Sequence, residues 1–219
     1  MATVADLAGA TLNIAATCAA TEALGPGRRA VAWVQGCPFH CAGCIAPEWI
    51  PDHPAELMTP RALAGRLLAD PAVVGLTFSG GEPMQQAAGL AETIVLARRE
   101  RDLTLICFTG YRLERLRIRP PGDGVARLLA EVDVLVDGLY VHDLDDDRGL
   151  RGSKNQRVHH LTDRLPAGDY DFESRARTVE VRLMSDGIQM VGLPTRAATA
   201  ALDTVMPRPP AAPRARSSR

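Results

Sequence analysis

The sequence predicts an α/β fold built on a mostly parallel sheet. Between residues 29 and 137, short apolar runs of strand length alternate with segments of helical period, at the spacing of βαβ crossovers. Four of these runs end in turn residues, at Gly36-Cys37, Ser79-Gly80-Gly81, Thr109-Gly110 and Asp137-Gly138. In a parallel sheet such ends share one edge, where functional groups collect. Composition agrees: 219 residues, 46% hydrophobic and 23% charged, suit a globular core and exclude a disordered chain, a collagen-like repeat or a disulfide-dense mini-protein. A net charge of -1 implies no basic face, so nucleic acid is not an expected partner.

The elements follow from local chemistry. Leu12 to Thr17 alternates weakly and is β-prone. Gly25-Pro26-Gly27 is a turn, and Arg29 to Gln35 reads as a strand running into Gly36-Cys37. An irregular, Pro-rich stretch lasts until Pro60. Thr59 then suits an N-cap with Pro60 at the first helical position, for a helix to about Asp70 with Leu63, Leu67 and Leu68 on one face. Val73 to Phe78 is a buried strand opening into Ser79-Gly80-Gly81-Glu82-Pro83. Gln86 to Arg101 is helical with Leu90, Ile94 and Ala97 inward; Leu103 to Phe108 is a strand closed by Thr109-Gly110-Tyr111. Two short helices, Tyr111 to Ile118 and Val125 to Glu131, precede a strand from Val132 to Val136. Beyond an acidic loop, Asp143 to Asp147, and a polar basic segment, Arg151 to Arg157, Thr178 to Met184 and Gly187 to Leu193 read as a β-hairpin turning at Ser185-Asp186-Gly187. From Pro207 the chain is Pro, Ala, Arg and Ser without apolar period, which reads as a disordered basic tail.

Met1 to Ala10 carries Asp6, no basic cluster and no long apolar segment, so no secretory signal is expected. No stretch approaches the roughly 18 apolar residues of a membrane helix. The expected location is cytoplasmic, with no membrane partner and with cysteines serving as thiols or ligands rather than disulfides.

The strongest chemical signal is Cys37-Pro38-Phe39-His40-Cys41-Ala42-Gly43-Cys44. Three of the five cysteines fall in one loop, where Cx3Cx2C can wrap three soft ligands around one centre and Pro38 and Gly43 help it bend. Three unrelated buried cysteines are the bland alternative. Structural zinc wants four ligands, commonly as paired CxxC units; there is no second pair, although His40, His53 or Cys18 could complete a set. An iron–sulfur cluster fits better, and with three cysteines one iron stays open to an exogenous ligand.

This loop resembles that of the radical S-adenosylmethionine enzymes. Gly25-Pro26-Gly27-Arg28-Arg29 looks like the Gly-Pro-Gly-x-Arg lead-in of the glycyl-radical activating enzymes, and Ser79 to Pro83 like their Gly-Gly-Glu-Pro motif. With Thr109-Gly110-Tyr111, Val134 to Gly138 and Arg151 to Gln156 in the same order, about residues 10 to 162 are similar to the activators of anaerobic ribonucleoside-triphosphate reductase. The resemblance implies an open partial (βα) barrel, to which the β-hairpin read above adds a C-terminal extension. It implies a 4Fe-4S cluster on Cys37, Cys41 and Cys44, with the free iron chelated by S-adenosylmethionine. It implies cofactor contacts from Ser79, Gly80, Gly81 and Glu82, with Thr109 and Asp137 lining the cofactor pocket or a small-cation site. The bland readings are an ordinary β-turn for the first group and strand-end caps for the last two.

The implied function is reductive cleavage of S-adenosylmethionine and activation of a glycyl-radical enzyme, fed by a low-potential donor such as flavodoxin or ferredoxin. A stand-alone radical enzyme acting on a small molecule or peptide, and a non-catalytic zinc or iron–sulfur module, are the alternatives. Trp33 and Trp49 are expected to shield the cluster, Cys18 and Cys107 to be buried bystanders, and His159 and His160 are given no role.

Some residues depart from the family. Ile45-Ala46 follows Cys44 where these activators commonly have an aromatic residue and Asn, and Leu139 stands where some activating enzymes place a lysine. The chain also extends beyond a minimal activator. The domains expected are a core over 1–164, a hairpin extension over 165–206 that could cover the open side of the sheet or dock a partner, and the tail over 207–219.

Overall fold

The computed structural model describes residues 11–184 and 187–205. The reading of Met1 to Ala10, the Ser185-Asp186 turn and the tail from Pro207 lie outside the described residues.

The centre of the molecule is a mixed seven-stranded sheet. Its strands are β1 (Leu12–Thr21), β2 (Arg29–Val34), β3 (Glu56–Met58), β4 (Gly75–Gly80), β5 (Thr104–Thr109), β6 (Val134–Asp137) and β7 (Arg157–His160), in the order β3-β1-β2-β4-β5-β6-β7. β2, β4, β5 and β6 run parallel, while β1, β3 and β7 join by antiparallel pairing. The parallel centre is the one the βαβ spacing predicts. All six residues of β2 are buried, as expected where both faces of a parallel strand are covered.

One face carries the helices α1 (Pro60–Leu67), α2 (Ala87–Glu100), α3 (Leu113–Ile118) and α4 (Val125–Glu131). Thr59 caps α1 by accepting from the Ala62 N–H at 3.2 Å, with Pro60 in the first turn. Leu63 and Leu67, then Leu90, Ile94 and Ala97, pack against Ala30, Ala32, Leu76, Phe78 and Leu105 of the sheet. The opposite face presents Val31, Trp33, Ile106 and Val134, and its core includes Leu150, Phe172 and Val191 from later in the chain. The expected open side is therefore covered in part by the extension.

That extension contains the predicted hairpin, β8 (Val179–Met184) and β9 (Gly187–Gly192), followed by α5 (Arg196–Val205). β1 pairs with β3 only from Leu12 to Ile14. Hairpin side chains reach the rest of its backbone: Arg182 donates to the Ala20 carbonyl, Gln189 to the Thr17 carbonyl at 3.2 Å, and Glu180 accepts from the Glu22 N–H at 2.7 Å.

Three elements escaped the sequence reading. β3 is three residues long. β7 reads Arg-Val-His-His and carries no apolar run; its place comes from pairing with β6. α5 starts after Thr195, whose hydroxyl accepts from the Ala198 N–H at 3.2 Å, a cap that the sequence reading passed over.

The far end of the parallel strands is held by a buried cation. Arg29 is fully buried. Its Nε donates to the Thr77 hydroxyl at 2.9 Å and Nη1 to the Thr104 hydroxyl at 2.9 Å and the Pro26 carbonyl at 3.2 Å. Nη2 donates to the Leu76 carbonyl and to the Thr104 carbonyl at 3.3 Å. These uncharged oxygens lie on β4, β5 and the turn before β2 and match the five donors of a guanidinium. Burial lowers the Arg29 pKa to about 9, against the opposing pull of Asp133 and Tyr170. Replacing Arg29 by Met should cost about 3–5 kcal/mol in urea unfolding, because the oxygens stay buried without donors. Lys, with one ammonium, should fail to restore the lost stability.

Candidate metal centre

The four parallel strands end at one edge. Register sets Trp33 beside Ser79 and Val34 beside Gly80, and Thr109 beside Asp137. The sequence-predicted site residues are thereby gathered on neighbouring strand ends.

The cysteine loop leaves β2 and returns to its own base. The Gly36 N–H donates to the Trp49 carbonyl at 2.9 Å and the Cys37 N–H to the Ile50 carbonyl at 3.0 Å. Gln35 Nε2 donates to the Pro51 carbonyl at 2.7 Å. These bonds close a neck. Within the loop the Cys44 N–H donates to the Cys41 carbonyl at 3.2 Å, around Gly43 at φ +73°.

The glycine turn after β4 is clamped under this neck. The Gly81 N–H donates to the Val34 carbonyl at 2.7 Å and the Glu82 N–H to the Gly36 carbonyl at 2.9 Å. A Cβ on Gly81 would lie 2.2 Å from the Gly36 oxygen, and one on Gly80, at φ +102°, 2.4 Å from the Val34 nitrogen. No other residue fits this approach of two backbones.

Glu82 fastens the same turn to β5. One carboxylate oxygen accepts from the Thr109 hydroxyl at 2.8 Å and the Met84 N–H at 2.9 Å; the other accepts from the Gly110 N–H at 2.8 Å. Burial pushes the carboxyl up to about 7, opposed by those three donors. The Glu82 carboxylate is thus spent on Thr109 and on backbone N–H groups of its own turn and of the turn after β5.

Phe39 seats the cysteine loop on the next strand ends. Its ring meets Tyr111 edge-on, with centroids 4.8 Å apart. A Cβ on Gly110 would lie 2.6 Å from the Phe39 ring and 3.1 Å from Leu139 Cδ2. Trp33 and Trp49 pack together with centroids 5.7 Å apart. Cys18 and Cys107 are buried in β1 and β5, as expected.

Asp137 is enclosed in a separate polar cluster. It accepts from Arg157 at 2.7 Å, from the Leu113 N–H at 2.7 Å and from Arg112 at 3.1 Å, and His159 Nε2 lies 3.0 Å away. Burial raises its pKa, but Arg157, the Leu113 N–H, Arg112 and His159 outweigh it and hold the carboxyl at about 2.

The segment Arg151 to Gln156 is a strap over the end of β6. Gln156 Nε2 donates to the Gly138 carbonyl at 2.6 Å and Asn155 Nδ2 to the Leu139 carbonyl at 2.9 Å; the buried Ser153 hydroxyl accepts from the Val141 N–H at 3.1 Å. Sequence reasoning left these roles open and missed Phe39 and His159. It also missed Gln86, whose carboxamide donates to the Gln35 carbonyl at 3.0 Å and accepts from the Asn13 N–H at 2.7 Å. Pairing over such separations leaves no local signal.

The donor set suits a multinuclear centre. Cys37, Cys41 and Cys44 are partly exposed and lie outside any disulfide. Burial pushes Cys37 up to about 11, the Phe39 N–H opposes this, and the charges of Glu82, Cys44 and Cys41 raise it further. Such thiols become thiolates when a cationic centre supplies the compensating charge. Among the described residues no three His, Cys, Asp or Glu side chains converge on a single ion. A cubane cluster asks less, since each thiolate binds a different iron.

Comparison with known proteins identifies the centre's kind. A family model described as a 4Fe-4S single cluster domain matches residues 23–159. An anaerobic ribonucleoside-triphosphate reductase-activating protein of enterobacteria phage T4 is 31% identical over 147 residues, 64% of this chain and 88% of the relative. The protein of that name in Vibrio cholerae is 33% identical over 149 residues, 63% of this chain and 91% of the relative. Its namesake in Escherichia coli strain K12 is 30% identical over 148 residues, again 63% and 91%. Sheet edge, cysteine loop and sequence likeness coincide, and the chain belongs to the 4Fe-4S single cluster family and to the reductase-activating branch of the radical S-adenosylmethionine enzymes.

Proposed function

We propose that this chain activates a glycyl-radical enzyme of the anaerobic ribonucleotide reductase kind. The observation that carries this reading is the clamp of the Gly80-Gly81 turn beneath the neck of the cysteine loop. Cys37, Cys41 and Cys44 would hold three irons of a 4Fe-4S cluster, leaving the fourth open to S-adenosylmethionine. When bound, the cluster and S-adenosylmethionine would supply reductive cleavage of the sulfonium and, from it, abstraction of a hydrogen atom from a glycine of the partner.

The chain's own residues position and exclude water. The backbone of Ser79, Gly80 and Gly81 offers polar groups to the methionine end of the cofactor. Glu82 and Thr109 fix that backbone from behind, and Glu82 acts there as a positioning residue. Asp137 orders the neighbouring strand end through Arg112 and Arg157. The Trp33–Trp49 pair shields the loop.

The sheet is read as the wall of an open partial (βα) barrel, with a core over 1–164 and an extension over 165–206. The electron comes from a flavodoxin- or ferredoxin-like donor. The proposed site of action is the cytoplasm, and no helix among the described residues is long and apolar enough to cross a membrane.

Anaerobic reconstitution with iron and sulfide should load about four irons per chain. Dithionite and S-adenosylmethionine should then release 5′-deoxyadenosine, and Cys41→Ala should abolish that release. One tightly held zinc, or product from the variant at the wild-type rate, would sink the assignment. Adding the reductase should give a glycyl radical by electron paramagnetic resonance; turnover with a small molecule alone would favour a stand-alone enzyme.

Glu82 predicts a pH dependence. Its pKa of about 7 in the fold exceeds the ordinary 4.5, so the folded state binds the proton more tightly. The stabilisation is full below about pH 4.5 and is lost as pH rises through about 7. Urea midpoints of the cluster-free protein should fall between about pH 5 and pH 8, and Glu82→Gln should remove that part of the slope.

A further inference from the structure

We propose that the C-terminal extension latches a covering loop onto the cysteine loop, with Arg196 as the positioning residue and His142 as the cover. The proposal rests on the cluster assignment made above for Cys37, Cys41 and Cys44. Both Arg177 and Arg196 lie beyond residue 159, where the family match ends.

The covering loop runs from Leu139 to Asp147. At its centre His142 lies against the turn between the second and third cysteines: a Cβ on Gly43 would stand 2.7 Å from His142 Cδ2 and 3.4 Å from its Cβ. Glycine at φ +73° leaves the space that the imidazole fills. His142 is half exposed, with Nδ1 3.3 Å from the neighbouring Asp143 carboxylate, so its own side chain does little to hold it there.

The holding comes from the extension. Arg196 Nη2 donates to the His142 carbonyl at 2.6 Å and to the Asp145 carbonyl at 2.7 Å. Its N–H donates to the Asp147 carboxylate at 2.7 Å. Asp147 has φ +57°, the one positive value at a non-glycine among the described residues. Arg177 backs the latch from inside: it is almost fully buried, 2.8 Å from the Asp145 carboxylate, and donates to the Arg151, Gly152 and Pro194 carbonyls. The strap fixes the other side of the loop, with Lys154 N–H on the Leu144 carbonyl at 2.9 Å and Ser153 on Val141.

Two anchors on a loop of half-exposed residues mean that opening it breaks charge-assisted bonds. The site of the cluster is thereby guarded on the side of Gly43. Arg196 is itself exposed and donates to backbone oxygens, so its loss frees the loop without emptying a core.

The test uses the full chain. After reconstitution, iron release to a chelator should be about ten-fold faster in Arg196→Ala and His142→Ala than in the wild type, as expected for losing hydrogen bonds from a charged donor or the cover itself. His142→Phe keeps a ring over Gly43 and should release iron near the wild-type rate. Arg28→Ala, which removes a distant surface ion pair with Asp70, should leave the rate unchanged. Urea unfolding of the cluster-free Arg196→Ala chain should remain one cooperative transition, with stability lower by no more than the about 1.4 kcal/mol that a ten-fold change represents; a larger loss would mean general destabilisation and would overturn the latch. Wild-type release rates in both Arg196→Ala and His142→Ala would overturn the proposal. Zinc uptake in place of a cluster would instead overturn the metal assignment. In that case amide exchange of the metal-free chain decides on the latch: Arg196→Ala should speed exchange at residues 41–44 and 142–147, and unchanged exchange there defeats it.

Discussion

Everything at the functional edge depends on two backbones meeting without side chains between them. The Val34 and Gly36 carbonyls of the cysteine loop's base receive the N–H groups of Gly81 and Glu82, at 2.7 and 2.9 Å. That approach fixes where the loop springs from the sheet. It brings the half-buried Ser79-Gly80-Gly81 turn to the root of the loop that carries the three cysteines, and it does so with bonds already made in the fold. A site assembled this way is preorganised: ordering entropy is spent on folding and not at the chemical step.

From that junction order spreads outward through carboxylates. Glu82 carries it to Thr109 and Gly110 on β5, and Asp137 carries it from β6 to α3 and β7 through the Leu113 N–H and Arg157. The two acids differ by environment. Glu82 meets only neutral donors and its pKa rises to about 7; Asp137 faces two guanidinium groups and a histidine and its pKa falls to about 2. Asp137 therefore keeps its charge where Glu82 is poised to lose it.

The parallel centre of the fold was legible because crossover helices impose a long period on the apolar runs, and because strand ends need turn residues. β4 and β5 each begin one or two residues later than the apolar runs suggest and reach into the turn, since the ladder includes Ser79, Gly80 and Thr109. The cysteine loop and the glycine turn were legible as chemistry, since soft ligands and close approach demand particular residues. What stayed hidden depends on distant partners. β7 is a strand because Val136 and Leu135 lie opposite Val158 and His159. Asn13, Gln35 and Gln86 form one network across 73 residues of chain. His142 gains meaning only from a glycine about a hundred positions earlier.

The hairpin has a consequence for self-association. A strand whose outer amides and carbonyls face solvent is a template on which another chain can add a strand. β1 outruns its short neighbour β3, and the side chains of Glu180, Arg182 and Gln189 occupy its bare rim in place of a further strand. A strand adding laterally at this border would have to displace these side chains, so carboxylate, guanidinium and amide tips guard it where no ladder does.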